Sequence, residues 1–149
     1  MNETVWSNIT DFLDRLPVLH RSFHKDIMKA MRENLEEGIS RYHLEVVKTL
    51  EDYGTMHVTE IGEMLLISKP QMTRLIDELI DLGMVERQPD ETDRRKININ
   101  LTQKGIETGG KFRETIRGVI KTRLSHLPEK ELVELSTALK KVLEVGSKA

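Results

Sequence analysis

The sequence contains no cysteine, which excludes disulfides, thiolate metal sites and cysteine redox switches. No apolar run approaches the roughly 18–20 residues that a membrane-crossing helix needs. The N-terminus, Met1-Asn2-Glu3-Thr4, lacks a basic segment followed by an apolar one, so no secretory signal is expected and a soluble cytoplasmic protein is the default expectation. Aromatic residues make up only 4%, and there are few prolines and glycines. With Leu, Ile, Glu and Lys plentiful, that mix favours a mostly helical protein. An excess of charge of one sign is also missing: the formal net charge is −2 over 149 residues. Many DNA-binding domains are strongly basic, so a nucleic-acid reading has to rest on where the charge is placed. No Ser/His/Asp arrangement, glycine-rich phosphate loop or placed carboxylate pair occurs, so no catalytic centre and no enzymatic activity are expected.

What is present is a sequence of amphipathic stripes separated by turn signals. Ile9, Phe12, Leu13 and Leu16, then Leu19, Phe23, Ile27 and Met31, recur at helical spacing on either side of Pro17. This predicts one long kinked helix, or two consecutive ones, over about residues 3–35, ended by Gly38. Ser40 caps a second helix carrying Leu44, Val47 and Leu50, which Gly54 stops. Met56-His57-Val58 reads as a short extended link. Thr59 then opens a short helix with Ile61, Met64 and Leu65. Ser68 followed by Pro70 is a start signal for the next helix, which holds Met72, Leu75, Ile76, Leu79 and Ile80 and ends at Gly83. Met84 to Arg87 reads as a strand and residues 88–95 as a polar loop. Ile97, Ile99 and Leu101 alternate with polar residues as a half-buried strand, completing a hairpin. Thr102 caps a further helix, and Pro128 with Glu129 and Glu131 starts the last, where acids suit the helix dipole. The fold class is therefore mainly α with a small β-hairpin wing: a winged helix-turn-helix plus N- and C-terminal helices.

In that arrangement the second helix of the helix-turn-helix can enter the major groove, and the hairpin tip can reach an adjacent minor groove. The residue types suit the task. The helix start presents Ser68, Lys69, Gln71, Thr73 and Arg74; Gln can pair with adenine, Arg or Lys with guanine, and hydroxyls and a helix N-terminus with phosphate. Residues 68–76 contain Lys69 and Arg74 and no acid, and the hairpin carries Arg94-Arg95-Lys96. Asp77, Glu78 and Asp81 lie in later turns. The small net charge thus reflects acids placed elsewhere. Without the winged-helix context, the same residues would read as a solvated helix face and a soluble hairpin tip that resists strand aggregation.

Residues 59–105 resemble the multiple-antibiotic-resistance regulator (MarR) family. The resemblance is carried by Ile67-Ser68, Thr73-Arg74-Leu75-Ile76-Asp77, Leu82-Gly83-Met84-Val85-Glu86-Arg87, Asp90, Asp93-Arg94-Arg95 and Leu101-Thr102-Gln103-Lys104-Gly105, and the flanking helices match the family plan. It implies a homodimer on double-stranded DNA at a pseudo-palindromic operator, with residues 1–39 and 105–149 dimerising and 40–104 forming the DNA-binding lobe. It implies base or phosphate contacts from Ser68, Lys69, Gln71, Thr73 and Arg74, and a wing arginine in the minor groove. Arg94 is favoured for that groove, with Arg95 and an aspartate, Asp90 or Asp93, shaping the wing; the two arginines can also be assigned the other way round. The resemblance further suggests a repressor released by a small aromatic or phenolic acid, with Arg15, His20, Arg41 and Tyr42 as candidate polar contacts, since arginine holds a carboxylate bidentately. No cofactor is expected.

Two departures stand out. The turn between the helices reads Leu66-Ile67 where the family often has glycine before the apolar residue; if that position needs a positive φ, leucine is strained by an order of 1 kcal/mol. Gly62 stands where alanine is usual and keeps a small residue for close helix packing. Other readings are carried alongside. His20 and His24 share a helix face and, with His43, His57 or His126, suggest a metal-responsive regulator. A winged helix serving only protein–protein contact would have no need of Arg74 and Arg94-Arg95. Gly109-Gly110 inside a helix costs about 2 kcal/mol relative to alanines, which points to close packing or to a flexible joint.

Overall fold

A computed structural model describes residues 2–149. In chain order the elements are α1 (Glu3–Asn34), α2 (Arg41–Tyr53), β1 (Met56–His57), α3 (Val58–Leu65), α4 (Lys69–Asp81), β2 (Val85–Pro89), β3 (Ile97–Leu101), α5 (Gln103–Leu124) and α6 (Glu129–Gly146). Pro17 lies inside α1 without dividing it, so the first stripe is one helix. That helix ends at Asn34; Gly38, with φ +91°, belongs to the turn that follows. The chain forms two compact units: one joins the segment up to Phe23 with Arg117–Ala149, and the other is His24–Ile116.

The main core lies in the second unit. Val46, Val47, Leu50, Ile61, Met72, Ile76, Leu79, Met84 and Ile99 are buried in one cluster. They come from α2, α3, α4 and β3, with Met84 from the turn between α4 and β2. Full burial of such side chains stabilises by about 1.5–3 kcal/mol apiece. Ile97, at the outer end of β3, stays 44% exposed, so the alternation read from the sequence is buried at Ile99 and fades towards the tip.

The sheet has three antiparallel strands in the order β1-β3-β2, one more than a hairpin. Met56 pairs with Ile99 and His57 with Asn98, so the extended link before α3 is a strand of the same sheet. Helix starts and stops follow local chemistry. Ser40 accepts the His43 N–H on Oγ at 3.3 Å and donates its own N–H to His43 Nδ1 at 2.9 Å, a reciprocal cap. Thr102 does two things at once: its hydroxyl donates to the Gly83 carbonyl at 2.6 Å and accepts the Gly105 N–H at 3.1 Å. It thereby ties the start of α5 to the root of β2.

Leu66 closes α3 with φ 56° and ψ 41°, the left-handed conformation that costs a residue with a Cβ about 1–2 kcal/mol. Its side chain is 94% exposed, so no burial offsets that strain. Gly109 packs where a Cβ would meet the Glu51 carboxylate and Val47, whereas Gly110 has room. Close packing therefore accounts for the first glycine of the pair and not for the second.

In the first unit, Arg123 donates through Nη2 to Ser22 Oγ at 2.8 Å, and its guanidinium lies 4.5 Å from the Phe23 ring centre. This unit leaves many large apolar side chains exposed, among them Val5, Trp6, Ile9, Phe12, Leu13, Val133, Leu139 and Leu143. No helix among the described residues is long and apolar enough to cross a membrane.

Candidate nucleic-acid interface

The eight residues expected to face DNA (Ser68, Lys69, Gln71, Thr73, Arg74, Arg94, Arg95 and Lys96) are all exposed. Helix α4 buries Met72, Leu75, Ile76 and Leu79, which turns the intervening polar positions outward. Ser68 occupies the N-cap position with an extended backbone (φ −63°, ψ 152°), yet its hydroxyl makes no capping bond. Pro70, second in the helix, has no N–H to offer it. The hydroxyl and the N-terminal N–H groups of Lys69 and Gln71 are thus left to meet an anion. Thr73 spends its hydroxyl proton on the Lys69 carbonyl, 3.1 Å away, and keeps its oxygen as an acceptor.

The wing loop is shaped by two carboxylates. Asp90 Oδ1 accepts the Thr92 N–H and the Thr92 hydroxyl, both at 2.8 Å, and the Asp93 N–H at 3.2 Å. Asp93 Oδ1 accepts the Arg95 N–H at 3.0 Å and Arg95 Nε at 3.3 Å. The backbone closes the loop through Asp90 N–H to the Lys96 carbonyl at 3.1 Å and Lys96 N–H to the Asp93 carbonyl at 3.0 Å. Arg95 is therefore partly engaged, whereas Arg94 makes no hydrogen bond or ion pair among the described residues. His57 joins this loop to α3: its Nε2 lies 3.5 Å from Asp90 Oδ2 and 3.7 Å from Glu60 Oε1.

The bonds from Thr92, backbone N–H first and hydroxyl second, hold the Asp90 carboxyl down at about 2, with the Asp93 N–H and His57 adding to the effect. A carboxyl lowered in the folded state stabilises above its unfolded pKa of about 3.9 and loses that contribution as pH falls through the folded value. The Thr92 and Asp93 amide shifts should therefore titrate with a midpoint near 2, and Asp90→Ala should abolish the transition. A midpoint near 4 would show that Asp90 does not hold the loop.

A groove of about 1160 Å³ runs between the helix-turn-helix and the wing. It brings together Ser68, Lys69 and Thr73 from the start of α4 with Arg95 and Lys96 from the wing. Gln71, Arg74 and Arg94 are exposed outside it. Arg87, a strand residue within the MarR-like stretch Leu82 to Arg87 and not among the expected DNA contacts, also lines the groove and donates through Nη2 to Asp77 Oδ1 at 2.5 Å. Its position on β2 beside a basic wing was the available signal. Glu60 and Glu63 on α3 share the lining, so four cations face two carboxylates there. Leu66 and Ile97 add apolar surface.

The other candidates are placed as follows. Arg15, 3.9 Å from Asp11 Oδ2, and His20 belong to the α1 segment of the first unit. Arg41 and Tyr42 open α2 in the second, with Arg41 Nε 3.2 Å from Glu45 Oε1. His43 is buried against Glu78, and His57 serves the wing root. Among the described residues, no group of three or more His, Asp or Glu side chains is arranged to hold a metal ion.

Comparisons with known proteins agree with this architecture. The MarR family model matches residues 39–97. The transcriptional repressor MdtR of Bacillus subtilis is 27% identical over 130 residues, covering 85% of this chain and 82% of its own. Among solved structures, the transcriptional regulator Tm0710 of Thermotoga maritima aligns with a TM-score of 0.76 at 23% identity, over 93% of this chain and 96% of that one. A MarR family protein from Bacillus stearothermophilus gives a TM-score of 0.77 at 18% identity, over 99% of both chains. At such identities the structural likeness speaks for the fold.

Proposed function

The chain is a MarR-family transcriptional regulator with a DNA-binding winged helix, and on that premise we propose that it acts in the cytoplasm as a homodimeric repressor on a pseudo-palindromic operator. The observation that carries this reading is the shared groove, into which the start of α4 and the wing both present cations. A DNA strand lying there would place its phosphates against Lys69, Arg95 and Lys96. The recognition helix would then stand in the major groove and the free Arg94 in the neighbouring minor groove. Exposed apolar side chains on α1 and α6, including Trp6, Phe12 and Leu143, support the dimer, because contiguous apolar surface marks association sites. Two readers related by a twofold axis would meet successive major grooves about 34 Å apart. The repressor role draws on the likeness to MdtR.

A small aromatic or phenolic acid that favours a different spacing of the two readers would lower DNA affinity by linkage. Arg15, His20, Arg41 and Tyr42 are the proposed contacts. The test is a gel shift with random duplex at two salt concentrations, followed by sedimentation of the free protein. Affinity that falls steeply with salt and a dimer in solution are expected. Binding that ignores salt, or a monomer, would overturn the reading. DNA affinity unchanged by millimolar aromatic acids would remove the effector from it.

A further inference from the structure

Arg74 does not stand alone on the recognition helix. Its Nε lies 3.6 Å from Glu78 Oε1 one turn later. The other oxygen of that carboxylate, Oε2, is 2.7 Å from His43 Nε2. The His43 side chain is 4% exposed and that of Glu78 44%, so the relay runs from the interior to the surface. The direction of the hydrogen bonds is set at its inner end. His43 Nδ1 accepts the Ser40 N–H at 2.9 Å, so in the neutral ring the proton sits on Nε2 and is donated to Glu78. An exposed Arg–Glu pair at this spacing is weak and leaves both side chains mobile. Here the buried ring already fixes the carboxylate, so only the arginine remains to be ordered.

We propose that His43, acting through Glu78, is a positioning residue that aims the Arg74 guanidinium and thereby contributes to the choice of operator sequence. The inference rests on the DNA-binding reading above. It assigns His43 neither to a metal site nor to the effector. Glu78→Gln isolates the outer half of the relay. The single amide oxygen takes the His43 proton, and the amide NH2 is turned towards Arg74, which it cannot hold. Packing and the Ser40 cap are left in place.

The experiment uses the full chain. A duplex selected from random DNA by the unaltered protein serves as operator, and affinity for it is compared with affinity for random duplex. In Glu78→Gln, the operator-to-random ratio should fall about fivefold, within the coupling range of contacting residues, at an unchanged melting temperature. In an Arg74→Ala background the same substitution should leave the ratio unmoved. His43→Gln, whose amide oxygen and nitrogen can replace the ring's acceptor and donor, should keep the ratio. An unchanged ratio in Glu78→Gln would overturn the proposal. So would an equal effect with and without Arg74, or an affinity gain uniform over all duplexes, which is simple loss of repulsion. Failure to select any duplex would instead overturn the DNA-binding reading, and this inference with it.

Discussion

Replacing Arg94 by alanine should weaken binding to the proposed operator about 10- to 100-fold while leaving the fold and the oligomeric state unchanged. The side chain is exposed at the wing tip and makes no bond among the described residues, so removing it disturbs no packing. A lost specific groove contact costs about 1–3 kcal/mol. Arg74→Ala should cost a similar amount from the recognition helix. The two sites share no partner, so their losses should add and the double variant should retain only non-specific binding. Arg95 provides the contrast. It lines the groove with Lys96 and is tied to Asp93 at 3.3 Å, which suits a phosphate contact. Arg95→Ala should lower affinity for all duplexes alike and reduce the salt slope by about one. Fluorescence anisotropy with operator and random duplex over a salt series checks all three. If Arg94→Ala behaves as expected of Arg95→Ala and the reverse, the two roles are exchanged.

The largest stability loss from a single methyl group is expected at Gly105. A Cβ there would collide with the Met84 carbonyl oxygen and press on Leu101 Cδ2 at 3.1 Å. The obstacle is backbone, and the same carbonyl accepts the Thr102 N–H at 3.0 Å, so it cannot swing aside freely. Overpacking of this kind typically costs 1–3 kcal/mol and occasionally more. Alanine recovers about 1 kcal/mol of helix propensity over glycine. Because backbone blocks the methyl, we take the upper end, about 3 kcal/mol, and expect Gly105→Ala to lose about 2 kcal/mol net, a fall of roughly 4–8 °C in melting temperature for a chain of this size. Alanine at Gly110, where the structure leaves room, should instead be neutral or stabilising. A Gly105→Ala protein that melts with the unaltered chain would mean that the α5–β2 junction relaxes without cost.

The winged helix was legible because its signals are local. Ser68-Pro70, Gly83 and Thr102 each mark an element boundary by their own backbone chemistry, and the stripe of Met72, Ile76 and Leu79 has helical period. The leucine at the interhelical turn stood out through the family resemblance, in which glycine is frequent there, and Leu66 carries the positive φ. What escaped was pairing at long range. Met56-His57 is too short to show a period of two, and its strand partners lie far downstream. His43 read as a candidate further ligand beside His20 and His24 because its actual partner, Glu78, is 35 residues away. Arg87 reads as an ordinary strand residue until the fold sets it beside the start of α4. The apolar stripes of α1 and α6 gave their helices but not what covers them.

The small strand β1 has a mechanical consequence. It hydrogen-bonds to the wing at Ile99 and Asn98, and the residue after it, Val58, begins α3. The wing sheet is thus continuous, through β1, with the first helix of the helix-turn-helix. If the proposed DNA contacts hold, a mismatch between wing and duplex would then have to be taken up by bending the DNA or by moving the wing and the helix-turn-helix together.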